Sequence, residues 1–243
     1  MIFPIGDDNT DRTMFPLTNY LIILLNVFVF VFLQGLGSNI KFTYAYSTVP
    51  AEIVTGKDII TEDRVMVDPE TDERVEVPGL QKTPINVYLT IFTSMFMHGG
   101  IAHIFGNMIF LWVFGDNIEN KLGHMRYLIF YLVCGALSSL SQVTATIMFN
   151  GNPYVPTLGA SGAISGVLGG YMLLYPRRRV RVVLFYILTV VPAIVAIGMW
   201  FAFQVIAGLG GLGSQGGGVA YAAHVGGFIA GFILIKIFAI GRP

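Results

Sequence analysis

The chain has little charge and almost no cysteine. Of its 243 residues only 12% are Asp, Glu, Lys or Arg, against 54% hydrophobic residues. With a mean hydropathy of +0.71, so sparse a polar complement excludes an ordinary water-soluble domain, in which about a quarter of residues are charged. The 14 basic and 14 acidic side chains cancel, and no clustered basic patch marks a surface for nucleic acid. The single Cys134 excludes an intramolecular disulfide and leaves the redox compartment open. His-Glu-x-x-His and comparable histidine and carboxylate clusters are missing, so nothing points to a metal or to a metalloprotease. A transporter would call for a membrane-buried charge or for paired interrupted helices in repeated halves, and neither is present.

What the chain does contain is long apolar runs, near 17 to 34, 101 to 118, 124 to 148, 160 to 175, 180 to 207 and 220 to 240. Each approaches the roughly 20 residues needed to cross about 30 Å of hydrocarbon. The pattern predicts an all-α, multi-pass membrane protein in contact with the lipid bilayer. Its six transmembrane helices form one domain, 17 to 243, preceded by an N-terminal segment, 1 to 16. Because Asp7-Asp8-Asn9-Thr10-Asp11-Arg12 is acidic and no small-x-small cleavage site clearly follows the first run, that run reads as a retained helix rather than a signal peptide.

Orientation follows from Lys and Arg in the short loops. Arg177, Arg178, Arg179 and Arg181 lie between spans four and five, Lys121 and Arg126 between two and three, and Arg242 beyond span six, whereas 149 to 159 and 208 to 219 carry no charge. Both termini are therefore expected on the cytoplasmic side, and the long first loop, about 35 to 100, outside. Its stretch 52 to 82 is an acidic insertion, read either as irregular loop or as two short strands, Arg64-Val65-Met66-Val67 and Arg74-Val75-Glu76-Val77, around a turn. Residues 85 to 97 could lie as a helix in the membrane interface.

With the N-terminus inside, spans two, four and six begin at the external face. His103 and Asn107 then share the outer half of the membrane with Ser161 and His224. From 161 to 175 span four reaches only about 22 Å, which sets Ser161 on the order of 8 Å beneath the outer hydrocarbon edge. The 150 to 158 loop must dip in to meet it, as lipid permits only where backbone lines an enclosed or wet cavity. Gly162, Gly166 and Gly170 recur at i+4 in span four, as do Ala223, Gly227 and Gly231 in span six, and such ridges allow helices to approach closely.

Serine is a weak nucleophile until a base takes its proton, and histidine is the natural base near neutral pH. Ser161 and His224 make such a pair. No Asp or Glu lies beside His224 in an outer membrane half, so an acid-bearing triad is not expected. Tyr221 at i−3 is one local candidate to orient the ring, and the sequence leaves that open. Attack on a carbonyl creates an oxyanion that needs preorganised donors. His103 and Asn107, four apart on one helix face, could supply them, with backbone N–H groups where span four begins.

These motifs resemble the rhomboid intramembrane serine proteases. The resemblance rests on Gly159-Ala160-Ser161-Gly162, on His103-Ile104-Phe105-Gly106-Asn107 as H-x-x-x-N, and on Ala223-His224-Val225-Gly226-Gly227 as A-H-x-x-G, and covers roughly 85 to 240. It implies a six-helix rhomboid-like bundle with Ser161 as nucleophile and His224 as general base and then acid. His103, Asn107 and the Ser161 N–H would form the oxyanion site, and Gly159, Gly162, Gly227 and Gly231 the close packing around it. Glu119 matches a family acid near the inner end of span two. The implied reaction is hydrolysis of peptide bonds in or near the transmembrane helices of protein substrates, without metal or organic cofactor, in a prokaryotic plasma membrane. The alternative is a catalytically inactive relative that binds membrane clients.

Two departures stand out. The Trp-Arg pair of many members would align near Leu89-Thr90 and is absent, so the first loop must be anchored differently. Ser165 stands where some relatives have a Tyr packed on the catalytic histidine. His98, just outside span two, reads as an exposed interfacial histidine, with lining of the entrance as the alternative, and His124 as unrelated to the chemistry.

Overall fold

The computed structural model describes residues 2–67, 74–184, 186–211 and 218–242. Strand β1 (Ile2–Asp7) precedes helix α1 (Leu17–Phe28), which a π-helical turn extends to Leu33. Short helices α2 (Ile40–Ala45) and α3 (Pro50–Thr55) lead to strands β2 (Arg64–Val67) and β3 (Arg74–Val77). A single turn, α4 (Thr90–Thr93), sits between two 3-10 turns before the long helices α5 (Ile101–Leu122) and α6 (His124–Met148). Helix α7 (Ser161–Leu174), strands β4 (Arg179–Leu184) and β5 (Ile187–Pro192), and helices α8 (Ala193–Gly210) and α9 (Tyr221–Phe238) follow.

Helices α5, α6, α8 and α9 are long and apolar enough to cross a membrane, while Leu17–Leu33 and α7 are shorter apolar helices. Helix α7 is the axis of the bundle. All of its residues from Gly162 to Tyr171 are buried, against α5, α6, α8 and α9. Its 14 residues rise about 21 Å, and because protein rather than lipid surrounds it, its ends need not reach the bilayer surface.

Glycine makes this enclosure possible. A Cβ on Gly231 would lie 1.9 Å from the Gly166 carbonyl oxygen, one on Gly227 2.2 Å from that of Gly162, and one on Gly162 1.9 Å from Ser138 Oγ. Helices α7 and α9 thus meet backbone against backbone, the contact that the small-residue stripes in both spans favour. Around it Phe114, Tyr127, Phe130, Tyr131, Leu168 and Tyr171 close the core of α5, α6 and α7 with no exposure above 1%.

The molecule is not all-α. The apolar run expected to be helical from 180 is the hairpin β4–β5 up to Pro192, and α8 begins only at Ala193. Hydropathy does not separate the two, but period does. Along β4, Arg179 and Arg181 are exposed and Val180 and Val182 buried, an alternation of two with β-branched residues. Strand β1 adds to β4, so the order is β1–β4–β5, antiparallel throughout. Residues set apart as an N-terminal segment are therefore docked on the bundle.

Asp7 closes β1 in a buried polar cluster at the end of the bundle where α5 turns into α6, here the sheet end. Its Oδ2 accepts from Tyr171 Oη at 2.5 Å and Asn117 Nδ2 at 2.8 Å. Arg12 pairs with Asp116 at 2.6 Å, and Arg178 bonds both Asn117 and Asp11. Burial, with Asp116 adding to it, pushes the Asp7 carboxyl up to about 7 despite the Tyr171, Asn117 and Arg178 contacts that oppose the rise.

The insertion does contain the β2–β3 pair, antiparallel with Arg64 opposite Val77; the turn expected at 68 to 73 lies outside the described residues. Val87–Phe96 is a short apolar helical segment with Tyr88, Leu89 and Phe92 exposed on one face. Thr90, Ile91, Ser94 and Met95 are buried in protein, and Thr48 Oγ1 bonds the Thr90 carbonyl at 3.0 Å and Ser94 Oγ at 2.9 Å. Together with Thr93 Oγ1 donating to Tyr46 O at 2.8 Å, these bonds anchor the first loop where the Trp-Arg pair is missing.

Candidate active site

Ser161 is the first residue of α7, and the chain reaches it through Gly159 at φ +120°, a conformation that L side chains rarely adopt. His224 lies in the first turn of α9. Close packing of these two helices brings His224 Nε2 to 2.7 Å from Ser161 Oγ, within hydrogen-bond reach of a base and its nucleophile. The pair lines a cleft of about 1030 Å³.

His103 and Asn107, one turn apart on α5, line the same cleft. His103 Nδ1 accepts the Gly99 N–H at 3.3 Å, which leaves the proton of a neutral ring on Nε2. That Nε2 faces the turn before the serine: a Cβ on Gly159 would meet it at 2.8 Å and Ser161 Oγ at 3.5 Å. Asn107 Nδ2 is buried with no partner among the described residues. Two unspent donors therefore border the cleft beside Ser161. Of the glycines singled out from sequence, Gly159 makes this turn, and Gly162, Gly227 and Gly231 make the α7–α9 contact.

Sequence reasoning missed Gln204. From α8 its Oε1 stands 2.7 Å from His224 Nδ1, while Trp200, one turn earlier, sets its ring 6.0 Å from the imidazole at 35°. Tyr221, the local candidate, meets His224 only edge-on, at 6.4 Å. The available signal was a lone amide four residues after a tryptophan in an otherwise apolar helix, since an amide in lipid needs a partner. Ser165 does not replace the missing Tyr; its Oγ donates to the Ser161 carbonyl at 2.6 Å.

His98 is fully buried rather than exposed and lines the same cleft, with its ring 5.1 Å from that of His103. Burial, then the His103 beside it, brings its pKa down to about 3 and keeps the ring neutral. Glu119 lies at the far end of α5 from the site. Its two oxygens accept the Thr18 and Asn19 N–H groups at 2.8 and 2.7 Å, and His124 Nδ1 stands 2.5 Å away. It thus caps the N–H groups that open α1 and have no partner within the helix.

Fold and site together define a membrane-embedded helical protein with a serine–histidine pair at a cleft between helices. Residues 86–240 match the model of the Rhomboid domain, and the chain belongs to the rhomboid family. It is 33% identical over 160 residues to Rhomboid protein 1, mitochondrial, of Saccharomyces cerevisiae, covering 63% of this chain and 43% of that protein. To the rhomboid protease GluP of Bacillus subtilis it is 33% identical over 153 residues, 63% of this chain and 26% of the relative. The mouse presenilin-associated rhomboid-like protein, mitochondrial, is 31% identical over 156 residues, 56% and 41% of the two chains. The chain thus spans less than half the length of these relatives.

Proposed function

We propose that this protein is an intramembrane serine endopeptidase that hydrolyses peptide bonds in or near the transmembrane helices of protein substrates. The observation that carries this reading is the 2.7 Å contact of Ser161 Oγ with His224 Nε2 on the wall of a cleft. A bacterial relative bearing the name of a protease supports it. His224 Nε2 takes the Ser161 proton as Oγ attacks the scissile carbonyl, and His103 Nε2–H, Asn107 Nδ2 and the Ser161 N–H receive the oxyanion. The imidazolium then protonates the leaving amine, and water, deprotonated by the same nitrogen, releases the acyl group. General-base help contributes roughly 10²–10⁴-fold, and each oxyanion donor on the order of 10²–10³-fold.

A helix hides its carbonyls in hydrogen bonds, so substrates with small residues and easily unwound helices at the cut are preferred. In this reading α1, α5, α6, α7, α8 and α9 all cross the bilayer. The charged sheet end, with Arg178, Lys121, Arg126 and Arg242, faces the cytoplasm by the positive-inside rule, and both termini lie on that side. A prokaryotic plasma membrane is the compartment this reading assigns, supported by the bacterial relative.

The test is cleavage of a generic transmembrane substrate in liposomes by wild type, Ser161→Ala and His224→Ala, with fluorophosphonate labelling and thermal melts alongside. Cleavage and labelling by wild type alone, with all three folded, supports the dyad. Equal behaviour of the three refutes it and makes the client-binding alternative the leading reading.

A further inference from the structure

We propose that Gln204 is the positioning residue of His224, holding the imidazole in the tautomer and orientation that a base toward Ser161 requires; this rests on the protease reading above. A neutral imidazole carries one N–H and one lone pair. To take the Ser161 proton the lone pair must be on Nε2, so the N–H must be on Nδ1 and needs an acceptor there. Gln204 Oε1, at 2.7 Å from Nδ1, is that acceptor, opposite the 2.7 Å contact of Nε2 with Ser161 Oγ.

The amide could also serve the wrong tautomer. Turned end for end it would offer its NH₂ to Nδ1, moving the proton to Nε2 and leaving Ser161 without a base. The carbonyl oxygen toward the ring is therefore the productive arrangement, as it is for any acceptor that fixes a catalytic histidine. No carboxylate bonds His224 among the described residues, and its ring neighbours are Trp200 and Tyr221.

Placement on α8 adds a second constraint. Trp200 and Gln204 are four residues apart, hence on one helix face, and both reach His224. The tryptophan ring, tilted 35° at 6.0 Å, limits rotation of the imidazole about its own bond, and the amide sets the position of its far nitrogen. On α7, Ser165 lies one turn after Ser161, and its hydroxyl is spent on its own helix. The contacts that orient the base thus come from α8.

A merely structural glutamine, kept because a buried amide needs a partner, predicts that its removal changes stability and leaves the chemistry alone. Gln204→Leu and Gln204→Glu separate the two, each melted beside wild type and assayed across pH with a transmembrane substrate in liposomes. We expect Gln204→Leu to lower kcat by on the order of 10–100-fold, as loss of an outer orienting contact does, with KM within about twofold and fluorophosphonate labelling slowed in step. Gln204→Glu is expected to restore most of kcat and to move the acid limb of kcat/KM to higher pH, because a carboxylate facing Nδ1–H stabilises the imidazolium.

Nitrogen-15 spectra of histidine-labelled protein read the tautomer without turnover: His224 protonated on Nδ1 in wild type, and mixed in Gln204→Leu. Wild-type kcat and pH profile in a folded Gln204→Leu overturn the proposal, as does an unchanged tautomer. Equal losses in both variants, tracking their melting temperatures, overturn it in favour of a structural role. Absence of Ser161-dependent turnover in wild type refutes the protease reading instead, and the nitrogen spectra still decide whether Gln204 sets the tautomer.

Discussion

A methyl group added at Gly231 probes how site geometry depends on helix packing two turns away. Its Cβ would stand 1.9 Å from the Gly166 carbonyl oxygen and 2.5 Å from Gly166 Cα, both backbone atoms that cannot rotate aside. Real contacts of this kind rarely fall below about 3 Å, so α7 and α9 must separate locally by roughly 1 Å. Overpacking of this kind costs about 1–3 kcal/mol. His224 lies seven residues, about 10 Å, up α9, and the strain is relieved by moving it away from Ser161. A 2.7 Å contact lengthened by even half that separation reaches the limit of a hydrogen bond, and misplacement by about 1 Å costs on the order of 10²-fold in rate. Gly231→Ala should therefore fold with a lowered Tm and lose most Ser161 labelling by fluorophosphonate. Gly198→Ala in α8, where a Cβ meets nothing within 4 Å, is the control and should match wild type. Wild-type labelling and cleavage by Gly231→Ala would show that the α7–α9 contact does not set the site and refute the reasoning.

Three other outcomes are expected. Asp7, with its folded pKa raised from 3.8 to about 7, binds a proton in the folded state that the unfolded state has lost between those values. Its contribution to stability is whole below about pH 4 and is lost as pH rises through 7, by at most about 4 kcal/mol. Melts of wild type and Asp7→Asn from pH 4 to 8 should show the steeper decline in wild type, and parallel curves would discount a proton on Asp7. Glu119→Gln removes one of the two oxygens that cap α1 and the charge behind both bonds. It should cost about 1–3 kcal/mol, or about 2–4 °C in Tm for each kcal/mol, with kcat unchanged; a wild-type melt would contradict the capping role. Gly159→Ala must hold φ +120° and crowd His103 Nε2 at 2.8 Å, costing about 1–3 kcal/mol of backbone strain and lowering kcat more than it raises KM. Unchanged kcat in a folded variant would count against that turn as part of the site.

Much of the molecule can be read from composition and spacing because a bilayer imposes simple demands. Apolar runs, the shortness of the helix that Ser161 opens, and glycines at every fourth position each follow from one local physical requirement, and so does the pairing of one serine with one histidine, each near the start of its helix. None of them needs knowledge of what lies across the bundle. The run from 180 shows where that stops. Val180, Val182, Val190 and Val191 suit a lipid-facing helix by hydropathy and a strand by branching, and pairing with β1, about 175 residues earlier in the chain, decides between them. Asp7, read only as part of an acidic N-terminal stretch, becomes a buried group for the same reason.

His98 and Gln204 mark the other limit. Sequence reasoning gave His98 an exposed place, and the packing of the first loop on the bundle buries it, with its ring 5.1 Å from that of His103. Gln204 is an isolated polar residue in α8 until that helix's angle to α9 is known. Sequence by itself determined which residues could do chemistry and which stretches of helix carry them, because those follow from residue type and apolar patterning. Only the tertiary structure decided what orients the histidine and where strand replaces helix, because both depend on contacts between segments that no local pattern encodes.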